Sequence, residues 1–420
     1  TDAQGNRLLD GPGGMWCVNA GHGRHEIVKA MADQAGQLSY TSPWSHPTEP
    51  SARLAERLAA VAPGDLNHVF FATGGSTAVD SALRFVMFYN NVLGRPEKKH
   101  IISRYDAYHG STYLSAAVSG KSRDKNWLDT QLDNVHFISS PNPYRRPEGM
   151  DTEAFCRHLV DELEAKILEV GAEKVGVFIA EPILASGGVI VPPKGYHAAC
   201  LGVCRRYDVI YISDEVVTGF GRLGHWYASE PVFDITPDII VSAKGLTSGY
   251  IPLSAVIISD RLIQAVGGDS ERGAVFSNGF TYSGHPVSCA AALANMDVFE
   301  SEGLLENARE LGPYLQEQLQ TLSDLPIVGD IRGQGLMGCL ECVASQESRQ
   351  PLTLDYEVGS RIDAHCQALG LLVRPLINMC VMSPPLCVTR EQIDDLTRIL
   401  REGIVRTMAD LKKEGVASFG

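Results

Sequence analysis

Short, almost uninterrupted apolar runs separated by longer amphipathic stretches constrain this chain more than any other feature. Residues 68–72 (HVFFA), 174–180 (KVGVFIA), 209–212 (VIYI) and 238–241 (DIIV) are the clearest of these runs. Helical patterns lie between them, for example over 153–170. A strand that is apolar on both faces must be covered on both, and strands spaced by helices pair through crossovers. The pattern therefore predicts an α/β chain with a mainly parallel central sheet between helices. The last third changes character. Residues 327–343 read as a hairpin and are followed by helical stretches over 354–369 and 389–413. The second of these opens with a capping box, Thr389-x-x-Gln392, and is expected to bury Ile393, Leu396, Ile399, Leu400 and Val405 on one stripe. The expected division is an N-terminal segment, 1–60, contributing to a small lobe and the substrate pocket, a large α/β lobe, 61–310, and a small C-terminal α+β lobe, 311–420.

Composition narrows the function. With 420 residues, 44% of them apolar and 20% charged, the chain can bury a large core. Its net charge of −14 argues against a nucleic-acid partner, which would need a basic face. No apolar run approaches the ~18 residues of a membrane span, and the polar opening, Thr1 to Asp10, does not read as a signal peptide. A soluble, cytoplasmic protein is expected. The ten cysteines are scattered, which suits reduced thiols better than a disulfide framework. Cys339-x-x-Cys342 could be half of a zinc site, but no second ligand pair accompanies it. The alternation from Leu336 to Val343 reads as a strand instead, and no metal is expected.

Ligands of open α/β sheets bind at the carboxyl ends of the strands. Three of the apolar runs end there on ionisable residues: Ala180-Glu181, Ser213-Asp214-Glu215 and Ser242-Ala243-Lys244. A fourth runs into Thr73-Gly74-Gly75-Ser76-Thr77 and then a helix reaching about Phe88. Glycines let a backbone approach a ligand, and the free N–H groups of a helix start favour phosphate. A phosphate cradle, a carboxylate and a lysine on one sheet edge propose a phosphorylated cofactor that reacts with the lysine. Pyridoxal phosphate has that chemistry.

Ordered along the chain, these motifs resemble those of the class III (ω-) aminotransferases, pyridoxal-phosphate enzymes of fold type I. Gly75-Ser76 is similar to the family's phosphate turn and Tyr108-His109-Gly110 to its aromatic motif. Asp214-Glu215-Val216 with Thr218-Gly219-Phe220-Gly221-Arg222 resembles its pyridine-nitrogen signature, and Ala243-Lys244-Gly245-Leu246 its cofactor-lysine segment. The resemblance implies that Lys244 holds the cofactor and moves the proton, and that Asp214 keeps the ring nitrogen protonated. Tyr108 and Val216 would cover the two ring faces. Glu181 would either meet the ring edge or hydrogen-bond from behind it, while His109 would be structural. Thr281, within Phe280-Thr281-Tyr282-Ser283-Gly284-His285-Pro286, would reach the phosphate of a neighbouring subunit. A homodimer, or a tetramer built from one, is thereby implied. Where the family turn usually has a glutamate after Ser76, this chain has Thr77.

Trp16-Cys17-Val18-Asn19 resembles the amine:pyruvate and β-alanine:pyruvate subgroup, in which the tryptophan lines the substrate pocket. Val373-Arg374-Pro375-Leu376 resembles the segment whose arginine binds a substrate carboxylate, a task suited to a planar guanidinium. Relatives acting on ornithine or γ-aminobutyrate carry a second glutamate five residues after the first, which pairs with that arginine. Glu181-Pro182-Ile183-Leu184-Ala185-Ser186 has Ser186 there. The resemblance thus implies ping-pong transfer of an amino group from an ω-amino acid or primary amine to pyruvate, giving alanine and an aldehyde or ketone. With Ser186 leaving no neutralising partner at that position, a guanidinium fixed beside an apolar donor would be costly, and Arg374 is expected to swing inward for the keto acid and outward for the amine. A non-transaminating relative, such as an aminomutase, decarboxylase or racemase, is the alternative.

Overall fold

The computed structural model describes residues 1, 3–267, 273–353 and 356–416. Its centre is a seven-stranded sheet made of β1 (Leu66–Ala72), β2 (His100–Arg104), β3 (Val135–Ile138), β4 (Val175–Ala180), β5 (Ile210–Asp214), β6 (Ile239–Ser242) and β7 (Ser254–Ser259). The spatial order is β1-β7-β6-β5-β4-β2-β3. The four runs picked out by their apolar character are β1, β4, β5 and β6. Every residue of β4, β5 and β6 is buried, as coverage on both faces requires. From β6 through β5, β4 and β2 to β3 all pairings are parallel. β7 is antiparallel to both its neighbours. The link into it from β6 carries only a short turn, Lys244–Leu246, and a parallel return would need a crossover helix.

Helix α1 (Gly75–Val92) leaves the end of β1 and runs one turn beyond the expected Phe88, and α2 (Thr152–Val170) follows β3. The Asp151 carboxylate caps α2 by accepting from the Ala154 N–H at 2.7 Å. Helices α3 (Pro286–Ser301) and α4 (Leu304–Gln320) lead into a second sheet. There β8 (Val328–Gln334) and β9 (Met337–Ser345) form the expected hairpin, and β11 (Met379–Met382) pairs with β9 on one side and β10 (Arg374–Leu376) on the other, all antiparallel. Cys339 and Cys342 lie within β9; three residues apart on a strand, they face opposite ways. The amino end of the chain joins this region, since Leu9–Asp10 pairs in parallel with Leu371–Leu372.

Two expectations need correction. Helix α5 spans Val358–Ala368 and so starts later than 354, while Leu354 and Asp355 lie outside the described residues. In α6 (Arg390–Lys413) the Thr389–Gln392 capping box is present, and Ile393, Leu396, Ile399 and Leu400 are buried. Val405 is not: it is 44% exposed, whereas Ile404 is fully buried. Ile404 stands four residues after Leu400 and continues the face, while Val405 is rotated a further ~100° toward solvent. Ile404→Ala should therefore cost about 2–5 kcal/mol, and Val405→Ala within about 0.5 kcal/mol. Thermal melts of the two variants should show a clear loss for the first and none for the second.

Candidate active site

The carboxyl ends of β1, β4, β5 and β6 open into one cavity of about 410 Å³. Its lining includes Trp16, Gly75, Ser76, Tyr108, His109, Glu181, Asp214, Val216 and Lys244. The strand ends thus bring nine of the eleven expected site residues together. Arg374 lies at its side, stacked over Trp16 with its guanidinium carbon 5.1 Å from the ring centroid. Thr281 is solvent-exposed in the single chain and does not line the cavity.

The turn after β1 is built by Thr77. Its hydroxyl accepts from the Gly74 N–H at 3.1 Å and donates to the Gly74 carbonyl at 2.8 Å. A threonine in place of the family's glutamate therefore still closes the turn. The first N–H groups of α1 have no partner within the helix and face an anion-binding role. Gly75 is closely packed: a Cβ there would lie 3.2 Å from a Val216 methyl, which would have to give by a few tenths of an ångström. The Ser76 hydroxyl accepts from the Ser111 N–H at 3.0 Å, tying the turn to the segment after Tyr108.

Buried charges form the floor. Asp214 ends β5, and one of its oxygens lies 2.7 Å from His109 Nδ1, while the other accepts from the Val216 N–H at 3.1 Å. His109 is thus a direct partner of the carboxylate, closer to the chemistry than a purely structural residue. Glu181, at the end of β4, spends its two oxygens on the Tyr108 and Ala185 N–H groups, at 2.9 and 3.0 Å. It therefore holds the backbone of the aromatic segment, and burial pushes its carboxyl above the usual range. Glu215, one residue on, faces away. It accepts from Thr218, Ala228 and Ser229 and folds the loop after β5.

Lys244 follows β6 with φ of +44°, a strained conformation for a side-chain-bearing residue. Its Nζ lies 5.6 Å from the Trp16 ring centroid, and burial lowers its pKa against the opposing pull of Asp214 and Glu181. Gly245 follows because a Cβ would sit 2.3 Å from Asn19 Nδ2. Asn295, from α3, donates to the carbonyls of Gly245 and Leu246 at 2.9 and 3.1 Å and clamps the turn. Asn295 escaped notice in the sequence, although a lone amide in an apolar helix is the kind of buried polar group that needs partners. Lys121, hydrogen-bonded to Ser186 at 3.0 Å, escaped as well and has no local signal.

The donor set fits pyridoxal phosphate: a glycine-lined helix start for the phosphate, a buried carboxylate for a ring nitrogen, and a buried lysine for the aldehyde. The family model described as aminotransferase class-III matches residues 1–404. The chain is 40% identical over 412 residues to a putrescine–pyruvate aminotransferase of Pseudomonas aeruginosa, covering 97% of this chain and 89% of that one. It is 38% identical over 422 residues to a diaminobutyrate–2-oxoglutarate transaminase of Halomonas elongata, covering 99% and 90%. A crystal structure of the PMP-bound form of an aminotransferase from Vibrio fluvialis superimposes with a TM-score of 0.94 at 36% identity, over 98% of this chain and 91% of that one. With the strand-end lysine, the buried carboxylate and the glycine turn in one cavity, the chain belongs to the class III aminotransferases, pyridoxal-phosphate-dependent enzymes of fold type I.

Proposed function

We propose that this enzyme moves an amino group from a small amine or ω-amino acid to pyruvate, in two half-reactions that share one pocket. The observation that carries this reading is the state of Arg374. Its guanidinium is half-buried against Trp16, burial lowers its pKa, and its Nε has no hydrogen-bond partner. Unpaired buried donors call for an oxyanion. Among the described residues no carboxylate pairs with it, and position 186, where some relatives carry a glutamate, is a serine. The carboxylate of a keto acid fits, and a 40%-identical relative is a pyruvate-dependent aminotransferase.

Bound pyridoxal phosphate supplies an aldehyde that captures amines and a ring that takes up electron density from the substrate carbon. Each residue then has a task. Gly75 and Ser76 bind the phosphate; Asp214, oriented by His109, holds a proton on the ring nitrogen. Tyr108 and Val216 exclude water from the ring faces, and Glu181 positions Tyr108. Lys244 Nζ takes the proton from the substrate carbon that bears the amine and returns it. A lowered pKa provides the neutral form that this needs. Trp16 shapes the substrate side. Residues 61–310 carry the cofactor groups, while 1–60 and 311–420 act as one lobe closing over them.

The reading includes a homodimer, possible tetramers being built from it, with Thr281 completing the partner's phosphate site. Its exposure supports this, as does the neighbouring Tyr282, which is also exposed. Among the described residues no helix is long and apolar enough to cross a membrane.

Borohydride reduction of the native enzyme should leave the cofactor attached to the peptide that holds Lys244. Lys244→Ala should lose both this adduct and turnover, and attachment to any other lysine would contradict the assignment. Arg374→Ala should slow the pyruvate half-reaction by roughly 30- to 1,000-fold, the equivalent of about 2–4 kcal/mol. Deamination of a carboxylate-free amine should be largely spared; equal losses in single-turnover kinetics would remove the swinging arginine. Sedimentation should find active enzyme only as a dimer or larger, and a fully active monomer would overturn the shared site.

A further inference from the structure

At the cavity wall, position 186 has a neighbour that the sequence does not announce. Ser186 lines the cavity, and the ammonium of Lys121 donates to its Oγ at 3.0 Å. Lys121 is held there on two further sides. It pairs with Asp124 at 3.3 Å, and its Nζ lies 5.9 Å from the centroid of the Tyr108 ring. Only 17% of its side chain is exposed, whereas Asp124 is 40% exposed and screened by solvent. An ammonium has donors alone, so the contact occupies a lone pair of the serine oxygen. The Ser186 proton is left for another acceptor, and no protein acceptor bonds to it among the described residues.

The charges around the substrate space point the same way. Lys121 stands behind Ser186, and Arg374 stands over Trp16. The two acidic groups of the lining, Asp214 and Glu181, are already engaged by His109 and by the Tyr108 and Ala185 N–H groups. At this wall, then, Ser186 offers a hydroxyl proton beside the Lys121 ammonium, and among the described residues both carboxylates of the lining are already engaged.

We propose that Ser186, oriented by Lys121, is a specificity-determining contact that donates its hydroxyl proton to the distal carboxylate of an ω-amino acid donor and disfavours the distal ammonium of a diamine. Lys121 is a positioning residue, acting through the serine and through its charge. This inference rests on the reading of the enzyme as a pyruvate-dependent transaminase. It sets the preferred donor apart from the putrescine named for the 40%-identical relative.

The test compares kcat/KM for β-alanine and 4-aminobutyrate with that for putrescine, at saturating pyruvate, in holoenzyme carrying Ser186→Ala, Lys121→Met, both, or Lys121→Arg. The native enzyme should favour the ω-amino acids. Ser186→Ala and Lys121→Met should each move the ratio about tenfold toward putrescine, mainly through KM for the acids. The double variant should move it no further than the larger single change, because one residue works through the other. Lys121→Arg, which keeps charge and donors, should retain most of the preference. A native preference for putrescine, or ratios within twofold of native in both single variants, would overturn the proposal.

A native enzyme that transfers no amino group to pyruvate from any donor would instead sink the underlying reading. Binding of unreactive butyrate, followed by tryptophan fluorescence, would then decide this proposal separately: about tenfold weaker binding in Ser186→Ala supports it, and unchanged binding overturns it. Cofactor absorbance and melting temperature identify any variant that has lost its fold, and Ser186→Cys, close in size but a weaker donor, then replaces Ser186→Ala.

Discussion

One buried guanidinium holds the active site in register. Arg222 has no exposed surface, and among the described residues no carboxylate pairs with it. It donates to the Leu336 carbonyl at 3.0 Å, to the Pro384 carbonyl and to Asn19 Oδ1 at 2.9 Å. Its own carbonyl accepts from the Leu336 N–H at 3.0 Å. Four segments far apart in sequence thus meet at one side chain. Asn19 in turn donates to the Phe220 carbonyl at 2.6 Å and lies against Gly245, beside Lys244. Trp16 and Lys244 therefore hang from the same knot. Burial lowers the Arg222 pKa to about 10, which still leaves it charged at neutral pH. Rigid bidentate donors make arginine the residue for such a place, and a lysine could not span these acceptors.

The floor of the site shows how buried charge is tolerated when every oxygen has work. Asp214, Glu181 and Glu215 are all buried, and each accepts from main-chain N–H groups or a close side chain. Desolvation raises Glu181 and Glu215, and their hydrogen bonds oppose it. The same desolvation acts on Lys244 in the useful direction, because it disfavours the ammonium. A lysine pushed toward neutrality beside carboxylates whose oxygens are all hydrogen-bonded is an arrangement suited to proton transfer at carbon.

Several side chains around the cavity stand apart from the central sheet. Trp16, Tyr108, Ser186 and Arg374 come from four separate stretches of the chain, and none contributes to the central sheet. Each can change without touching the parallel strands whose ends line the cavity. Sites on loops above a rigid sheet vary in this way because the sheet's hydrogen bonds do not depend on them.

Apolar runs buried on both faces, capped helices and ionisable residues at strand ends are local properties, and from them alone the α/β sheet, four of its strands and the Asp214–Lys244 edge were legible. Ordered motifs extended this to the family. Local pattern erred where neighbouring positions compete for one face, as Val405 and Ile404 do on the last helix. It was also silent where partners lie far apart. That His109 binds Asp214, that Asn295 clamps the lysine turn and that Lys121 reaches Ser186 depend on contacts across 105, 50 and 65 residues. Such contacts form only once the sheet brings its carboxyl ends together. Hydrophobic periodicity determines which elements form and which face is buried; the pairing of polar side chains is decided by the packed geometry that follows.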